Sequence, residues 1–154
     1  MKRADGTEQD PPSLDDSFAI GKVRVLREGR DGLLLGCGMT VPVILEAADI
    51  LAEAGRAVTV VDVSTIKPLD PGIVELAARA PVVLTVENHS VIGGLGSAVA
   101  ELLMEAGVAK PFARVGVQDV FAEGGTTPFL FDRYGLSAKA VVAAFHRKRG
   151  SGVG

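Results

Sequence analysis

The strongest constraint on the fold is a repeated alternation between short apolar runs and segments with helical spacing of apolar residues. Residues 33–37 form a continuous apolar run, which is typical of a strand that is covered on both faces. In the next segment Ile44, Ala47, Ala48 and Leu51 recur at the spacing of one helix face. Strands that alternate with helices are joined by right-handed crossovers and form a mostly parallel sheet.

The same alternation continues to the end of the chain. Further strands are predicted at 58–63, 81–86 and 112–117, and further helices at 70–79, 95–106, 127–134 and from Ser137 onward. The first strand, 22–27, mostly alternates polar and apolar residues, which favours a sheet edge with one solvent-exposed face. We therefore predict a three-layer α/β/α sandwich around a mostly parallel five-stranded sheet with one antiparallel edge strand.

The length and composition indicate one globular domain. The chain has 154 residues, of which 47% are hydrophobic and 23% are charged, which is enough for one core and ordinary for such a fold. Residues 1–17 are polar and acidic and contain Pro11-Pro12, so we predict a disordered leader. The domain is predicted to span 18–148, and 149–154 are predicted to form a loose tail.

Charge and cysteine content argue against several functional classes. The net charge is -3, so there is no electrostatic reason to expect nucleic acid, and the basic run 146–149 suits a solvated helix end. The single cysteine, Cys37, allows no intrachain disulfide and lies in an apolar run, where we favour a buried thiol over a nucleophile. The first residues lack the apolar segment of a signal peptide, and no stretch approaches a membrane span. We therefore predict a cytoplasmic location with no membrane contact.

In a parallel sheet, functional groups gather at the carboxyl ends of the strands. Four predicted loops lie there: 36–40, 64–70, 87–94 and 118–127. The third loop is the richest, because it carries acid, amide and imidazole groups and enters a helix through glycines. Its candidate interface or anion-contact residues are Glu87, Asn88, His89, Gly93, Gly94 and Gly96.

Several roles are open for this loop. We favour a tight turn whose glycines pack against a neighbouring subunit, with anion contact at the helix N-terminus as the alternative. The Gly-Gly-x-Gly spacing matches neither the dinucleotide fingerprint nor the phosphate-binding P-loop. For His89 we favour a role as a hydrogen-bonding or interface residue, with a role as a proton carrier in catalysis as the alternative. Glu87 either caps the helix, which we favour, or orients the His89 ring.

The other loops carry weaker signals. Asp119 and Glu123 are paired acids that suit turn formation better than acid–base catalysis, with Phe121 as an apolar anchor. Lys67 is expected to be a surface lysine, with contact to a phosphate or an acidic partner as the alternative. We assign no catalytic, cofactor-binding or metal-binding residue.

Five segments in these regions resemble the last domain of transketolase-like thiamine-diphosphate enzymes. They are 18–29, 65–70, 86–101, 114–125 and 134–137, and they include Glu87-Asn88-His89-Ser90. The resemblance covers about Phe18 to Arg147, and its blocks occur in order. It implies a C-terminal assembly or dimerisation domain, or a separate subunit, of an enzyme that transfers two-carbon ketol units.

The resemblance also implies what the chain lacks. The family binds thiamine diphosphate and Mg²⁺ through a Gly-Asp-Gly motif in another domain, and this sequence has no such motif. The residues before Phe18 are too few and too polar for a pyrimidine-binding domain. We therefore expect no cofactor on this chain, and we expect a partner protein that carries the diphosphate- and pyrimidine-binding domains, in a homo- or hetero-oligomer.

Three alternatives stay open at the level of sequence. The chain could be the C-terminal piece of a deoxyxylulose-phosphate synthase or of a 2-oxoacid dehydrogenase β subunit. It could be a stand-alone module that binds an anion or a partner. It could be a small self-sufficient enzyme that uses Glu87, His89 and Asp119.

Overall fold

The computed structural model describes residues 18–150 and contains one five-stranded sheet in the order β1-β3-β2-β4-β5. The elements are β1 (Arg24–Arg27), β2 (Leu33–Gly36), a 3₁₀ turn (Gly38–Thr40), α1 (Val41–Glu53), β3 (Thr59–Asp62), α2 (Ile73–Arg79), β4 (Val83–Ser90), α3 (Leu95–Glu105), β5 (Phe112–Val117), α4 (Thr127–Arg133) and α5 (Ala138–Gly150). β1 pairs antiparallel with β3, and the other neighbours pair in parallel. The predicted leader 1–17 and residues 151–154 of the predicted tail lie outside the described residues.

Two separate cores cover the two faces of the sheet. Successive residues of a strand point to opposite faces. On one face Leu34, Val60 and Leu84 pack with residues of α1 and α5. On the other face Leu33 and Leu35 pack with residues of α2 and α3. The predicted three-layer sandwich, with its antiparallel edge strand, is therefore confirmed.

The helices bury the faces that their spacing indicates. The buried residues of α1 are Ile44, Ala47, Ala48 and Leu51, as the sequence predicts. In α3 the buried residues are Leu95, Gly96, Val99 and Leu103, whereas Ala98 and Leu102 are only half-buried. Within residues 18–150 no helix has the length and apolar character needed to cross a membrane.

Four boundaries or positions differ from the prediction. β4 continues to Ser90, because that residue pairs with Val117 of β5 after a register shift. β5, whose apolar residues favour a core strand, is an edge strand. α2 begins at Ile73, three residues after its predicted start, and α5 continues through Gly150, so residues 149 and 150 are helical and not part of a loose tail.

Thr40 connects two strands, and its side chain makes no hydrogen bond that caps α1. Its fully buried hydroxyl accepts the Cys37 N–H at 3.1 Å and lies 2.7 Å from the carbonyl oxygen of Val86. A Cβ atom at Gly36 would lie 3.1 Å from this hydroxyl and 2.8 Å from Ile44. The glycine therefore makes room for a hydrogen bond that joins the carboxyl ends of β2 and β4.

We predict that Thr40→Ala lowers the free energy of unfolding by about 1–3 kcal/mol, because it leaves a buried N–H without its acceptor. Thr40→Ser keeps the hydroxyl and loses one methyl group, so its cost should stay below about 1 kcal/mol. Urea unfolding of the two variants measures the difference. Equal destabilisation by both would show that the hydroxyl does not make the contribution assigned to it.

Candidate functional site

The loops that carry the candidate residues meet at one edge of the sheet. β2, β3, β4 and β5 are parallel, so their carboxyl ends share this edge, and the antiparallel β1 starts there. The segment before β1 is joined to the loop after β3, since the Val23 N–H donates to Asp70 Oδ2 at 3.0 Å. We call this edge the carboxyl rim, and it comprises residues 18–23, 37–40, 63–72, 88–94 and 118–129.

Glu87 fills the N-terminus of α3. Its side chain is buried, with 2% exposure. Oε2 accepts the N–H of Leu95 at 2.8 Å, and Oε1 accepts the N–H of Gly96 at 3.0 Å. A carboxylate in this place also interacts favourably with the positive end of the helix dipole. Of the two roles considered for Glu87, the geometry shows capping of the helix. The carboxylate also occupies the place at the N-terminus of α3 that an external anion would take.

The glycines of this turn make room for that carboxylate. A Cβ atom at Gly94 would lie 1.8 Å from Glu87 Oε2. A Cβ atom at Gly96 would lie 2.7 Å from the Thr85 hydroxyl oxygen and 2.6 Å from a carbon of the Arg114 side chain. Gly93 has a φ of +76°, in the left-handed region that favours glycine. Gly94 and Gly96 are therefore required by internal packing, and only Gly93 of the three is exposed at the rim.

Asn88 and His89 follow Glu87 at the end of β4, and both are exposed. The Asn88 amide nitrogen lies 3.7 Å from the sulfur of Met39, in the loop after β2. Both carboxylate oxygens of Glu87 are bonded to α3, and among residues 18–150 no hydrogen bond joins Glu87 to His89. The side chains of Asn88 and His89 are thus exposed at the rim, whereas that of Glu87 beside them is buried.

The loop after β5 does not bring its two acids together as a catalytic pair. Glu123 accepts a hydrogen bond from Arg133 Nε at 2.8 Å, and its backbone N–H donates to the Tyr134 hydroxyl at 2.9 Å. Asp119 is exposed. The expected anchoring role of Phe121 is wrong, because this side chain is fully exposed. The loop is instead tied to α4 through Glu123.

Asp70 has a stronger structural role than its sequence position indicates. Its buried carboxylate accepts the Gly72 N–H at 2.9 Å and the Val23 N–H, and Lys22 Nζ lies 3.6 Å away. The pKa of Asp70 lies below its ordinary value, mainly because the carboxylate accepts the Gly72 N–H. The hydrogen bond from the Val23 N–H and the positive charge of Lys22 also lower it. Lys67, in the same loop, is exposed as expected for a surface lysine.

The single thiol is unsuited to act as a nucleophile. Cys37 is half-buried and packs against the core that faces α2 and α3. Burial raises the pKa of the Cys37 thiol, and the negative charges of Glu87 and Asp62 raise it further. A thiol with a raised pKa stays protonated near neutral pH, which lowers its nucleophilicity.

Exposed apolar side chains are concentrated at the carboxyl rim, a feature that sequence reasoning missed. Eight of the eleven large apolar side chains that are exposed within residues 18–150 lie there. Each of the four parallel strands is followed by at least one of them. They are Phe18, Ile20, Met39, Ile66, Ile92, Val120, Phe121 and Phe129. Exposed apolar groups gathered on one surface are typical of a protein–protein contact.

The described residues do not fit a bound diphosphate with its metal ion. Among residues 18–150, no three or more His, Cys, Asp or Glu side chains are placed to hold a metal ion together. The N-terminus of α3 already holds the carboxylate of Glu87, which would repel a phosphate group. The arrangement can therefore support packing and docking.

Comparisons with known proteins agree on one family. The family described as transketolase, C-terminal domain, matches residues 21–141. The 6-deoxy-6-sulfo-D-fructose transketolase subunit SqwH of Clostridium sp. (strain MSTE9) is 45% identical over 135 residues, which are 87% of this chain and 42% of that protein. The 1-deoxy-D-xylulose-5-phosphate synthase of Syntrophotalea carbinolica is 41% identical over 144 residues, covering 90% of this chain and 23% of the synthase.

Solved structures show the same fold. A structure described as a split gene transketolase, inactive beta4 tetramer, is similar with a TM-score of 0.84 and 44% identity, covering 90% of this chain and 45% of that one. The transketolase of Campylobacter jejuni subsp. jejuni shares the fold, with a TM-score of 0.62 and 21% identity, over 82% of this chain and 18% of its own. The chain spans less than half the length of each of these relatives.

We predict that Gly94→Ala lowers the free energy of unfolding by at least about 2 kcal/mol, because the new methyl group displaces the Glu87 carboxylate from α3. Gly124→Ala is the matched control, because a Cβ atom there meets nothing within 4 Å, and its effect should stay within about 0.5 kcal/mol. Urea unfolding of both variants tests this prediction. Similar stabilities for the two would contradict the packing role of Gly94.

We also predict a pH-dependent contribution from Asp70. Because its pKa is lowered in the folded state, its stabilising effect is fully present above the unfolded-state value of about 3.9 and is lost as the pH falls through the folded-state pKa. The stability advantage of the unaltered protein over Asp70→Asn should therefore be constant near neutral pH and shrink below about pH 4. Unfolding free energies measured from pH 7 to pH 2 test this, and a difference that does not shrink would refute it.

Proposed function

The chain belongs to the family of transketolase C-terminal domains, and from this premise we propose that it is the assembly domain or subunit of an enzyme that transfers two-carbon ketol units. In this proposal its carboxyl rim docks against the protein that carries the diphosphate- and pyrimidine-binding domains. The observation on which the proposal rests is the set of exposed apolar side chains at the rim. The chain is not catalytic alone, and thiamine diphosphate and Mg²⁺ are held by the rest of a cytoplasmic enzyme.

The geometry of the rim supports docking more than catalysis. Met39, Ile66, Ile92 and Phe121 are exposed on the loops that follow β2, β3, β4 and β5. Burial of one such side chain stabilises a complex by about 1.5–3 kcal/mol before the costs of association are subtracted. Exposed polar groups such as His89 would then form hydrogen bonds at the border of the contact, where interfaces are more polar.

The names of the relatives support a divided enzyme. SqwH is named as a transketolase subunit, and the split gene transketolase structure is described as an inactive tetramer of beta chains. We extend this arrangement to the present chain, which would form an oligomer, such as a dimer, and would gain activity only with its partner. The contacts of two rim acids offer a physical reason, because Glu87 and Glu123 are already bonded internally.

A second candidate function comes from the relatives named 1-deoxy-D-xylulose-5-phosphate synthase, which reach 41% identity. In that case the same rim would dock in the same way, but the complete enzyme would form a different product. An assay of the complete enzyme for 1-deoxy-D-xylulose-5-phosphate separates the two candidates. Ketol transfer without that product supports the transketolase-like function.

We predict that Phe121→Ser weakens assembly without unfolding the chain. Loss of one central apolar contact removes more than about 1.4 kcal/mol of binding free energy, so about tenfold more variant should be needed to restore half-maximal activity to the partner in the presence of thiamine diphosphate and Mg²⁺. Met104→Ser is the matched control, because Met104 is 71% exposed at the far end of α3, away from the rim.

The control variant should restore activity as well as the unaltered chain does. Both substitutions replace exposed side chains, so urea unfolding should give stabilities within about 0.5 kcal/mol of the original. Equal reconstitution by the Phe121 and Met104 variants would refute docking through this part of the rim. Substrate turnover by the chain without any partner would refute the assembly function itself.

A further inference from the structure

Three sulfur-containing side chains lie within residues 18–150, and they differ in their access to solvent. Cys37 is half-buried, whereas 54% of Met39 and 71% of Met104 are exposed. Met39 lies on the carboxyl rim, in the loop after β2, and Met104 lies at the far end of α3. Both methionines are therefore open to a dissolved oxidant, but only Met39 belongs to the surface that docks in the proposed function.

The short turn that contains Met39 is tied to the sheet. The buried hydroxyl of Thr40 lies 2.7 Å from the carbonyl oxygen of Val86, at the end of β4. The backbone N–H of Thr40 donates to the carbonyl oxygen of Cys37 at 3.2 Å. The backbone at position 39 is thus held beside the end of β4, with its side chain exposed at the rim.

The sulfur of Met39 has one polar neighbour. The amide nitrogen of Asn88 lies 3.7 Å from it, and a thioether sulfur is only a weak hydrogen-bond acceptor. An oxygen atom bound to that sulfur would be a much stronger acceptor, within reach of the same amide. An oxidised Met39 side chain would therefore accept a hydrogen bond from Asn88 and stay at the rim.

Cys37, two residues before Met39, is a poorer target for an oxidant. A cysteine reacts with peroxides as the thiolate. Burial raises the pKa of the Cys37 thiol, and the negative charges of Glu87 and Asp62 raise it further, so the thiol stays protonated near neutral pH. A thioether has no proton to lose, and its oxidation needs no such ionisation. In the loop after β2 the oxidisable sulfur is therefore that of Met39.

We propose that Met39 is an oxidation site at which hydrogen peroxide weakens docking of the carboxyl rim. This inference rests on the proposed function, because it takes the rim as the docking surface. A lone pair of the sulfur attacks one peroxide oxygen, so that an S–O bond forms and the O–O bond breaks. The hydroxide that leaves takes the proton of the transferred oxygen and becomes water. The sulfur loses two electrons to the peroxide, and the product is methionine sulfoxide.

The sulfoxide makes the rim polar at this position. Docking removes the water around its oxygen, and the single hydrogen bond from Asn88 replaces that water only in part, which costs free energy. Ile66 and Ile92 on the neighbouring loops stay apolar and exposed, so docking is weakened and not abolished. The docked rim excludes peroxide from the sulfur, and the oxidation therefore acts on the unassembled chain.

Two measurements on the full chain alone test the chemistry. After treatment with hydrogen peroxide near neutral pH, peptide mapping by mass spectrometry should find the sulfoxide at Met39 before any oxidation of Cys37. The side-chain amide signal of Asn88 in NMR spectra should move as this sulfoxide forms. In Met39→Leu the same treatment should leave that signal in place. Faster oxidation of Cys37, or an Asn88 signal that does not respond to oxidation of Met39, overturns the proposal.

Reconstitution with the partner tests the effect on docking. Met39→Leu and Met104→Leu are matched variants, because each lacks one exposed sulfur and both keep Met1. For each chain, the amount that gives half-maximal activity of the partner is compared before and after peroxide treatment. Oxidation should raise this amount about tenfold for Met104→Leu and for the unaltered chain, and less than about twofold for Met39→Leu. A methionine sulfoxide reductase should reverse the rise.

The outcomes separate this inference from the proposed function. Equal responses of the two variants to peroxide would overturn the role of Met39. So would unchanged docking of the oxidised chain when Phe121→Ser docks weakly, a result that leaves the assembly function standing. An untreated chain that restores no activity to the partner would overturn the assembly function and the role of Met39 in docking together.

Discussion

The contact between the Glu87 carboxylate and the first turn of α3 determines much of the carboxyl rim. A buried charge is costly unless it is hydrogen-bonded, and here two backbone N–H groups and the helix dipole offset that cost. The contact fixes where α3 begins. It also requires that position 94 have no side chain, since a Cβ atom there would overlap the carboxylate. The glycine-rich turn is thus explained by an internal anion.

This internal use of the helix N-terminus bears on function. A free helix end beside glycines would be a natural place for a phosphate group, but the protein's own carboxylate already takes it. What the rim offers outward is mainly apolar, with Ile92 and Phe121 among its exposed side chains. A domain with this surface is suited to bind another protein, in keeping with its membership in a family of C-terminal domains.

Long-range hydrogen bonds hold the rim loops in place. Thr40 joins the loop after β2 to the end of β4, and Asp70 joins the loop after β3 to the segment before β1. Loops that are already held in one arrangement lose less conformational freedom when they bind, which favours association. The same contacts show why polar residues of the rim need not be catalytic, since their partners are backbone groups of neighbouring loops.

The sequence by itself determined the elements, the layers and the family. Apolar spacing indicated the buried face of α1 and the central position of β2, because periodicity is a local property of the chain. The extension of β4 to Ser90, the edge position of β5 and the exposure of Phe121 were decided only by the tertiary structure. The Thr40–Val86 contact likewise joins residues 46 positions apart. Such pairings depend on how the crossovers place the strands side by side, and a local pattern contains no information about which distant backbone group a hydroxyl or carboxylate will meet.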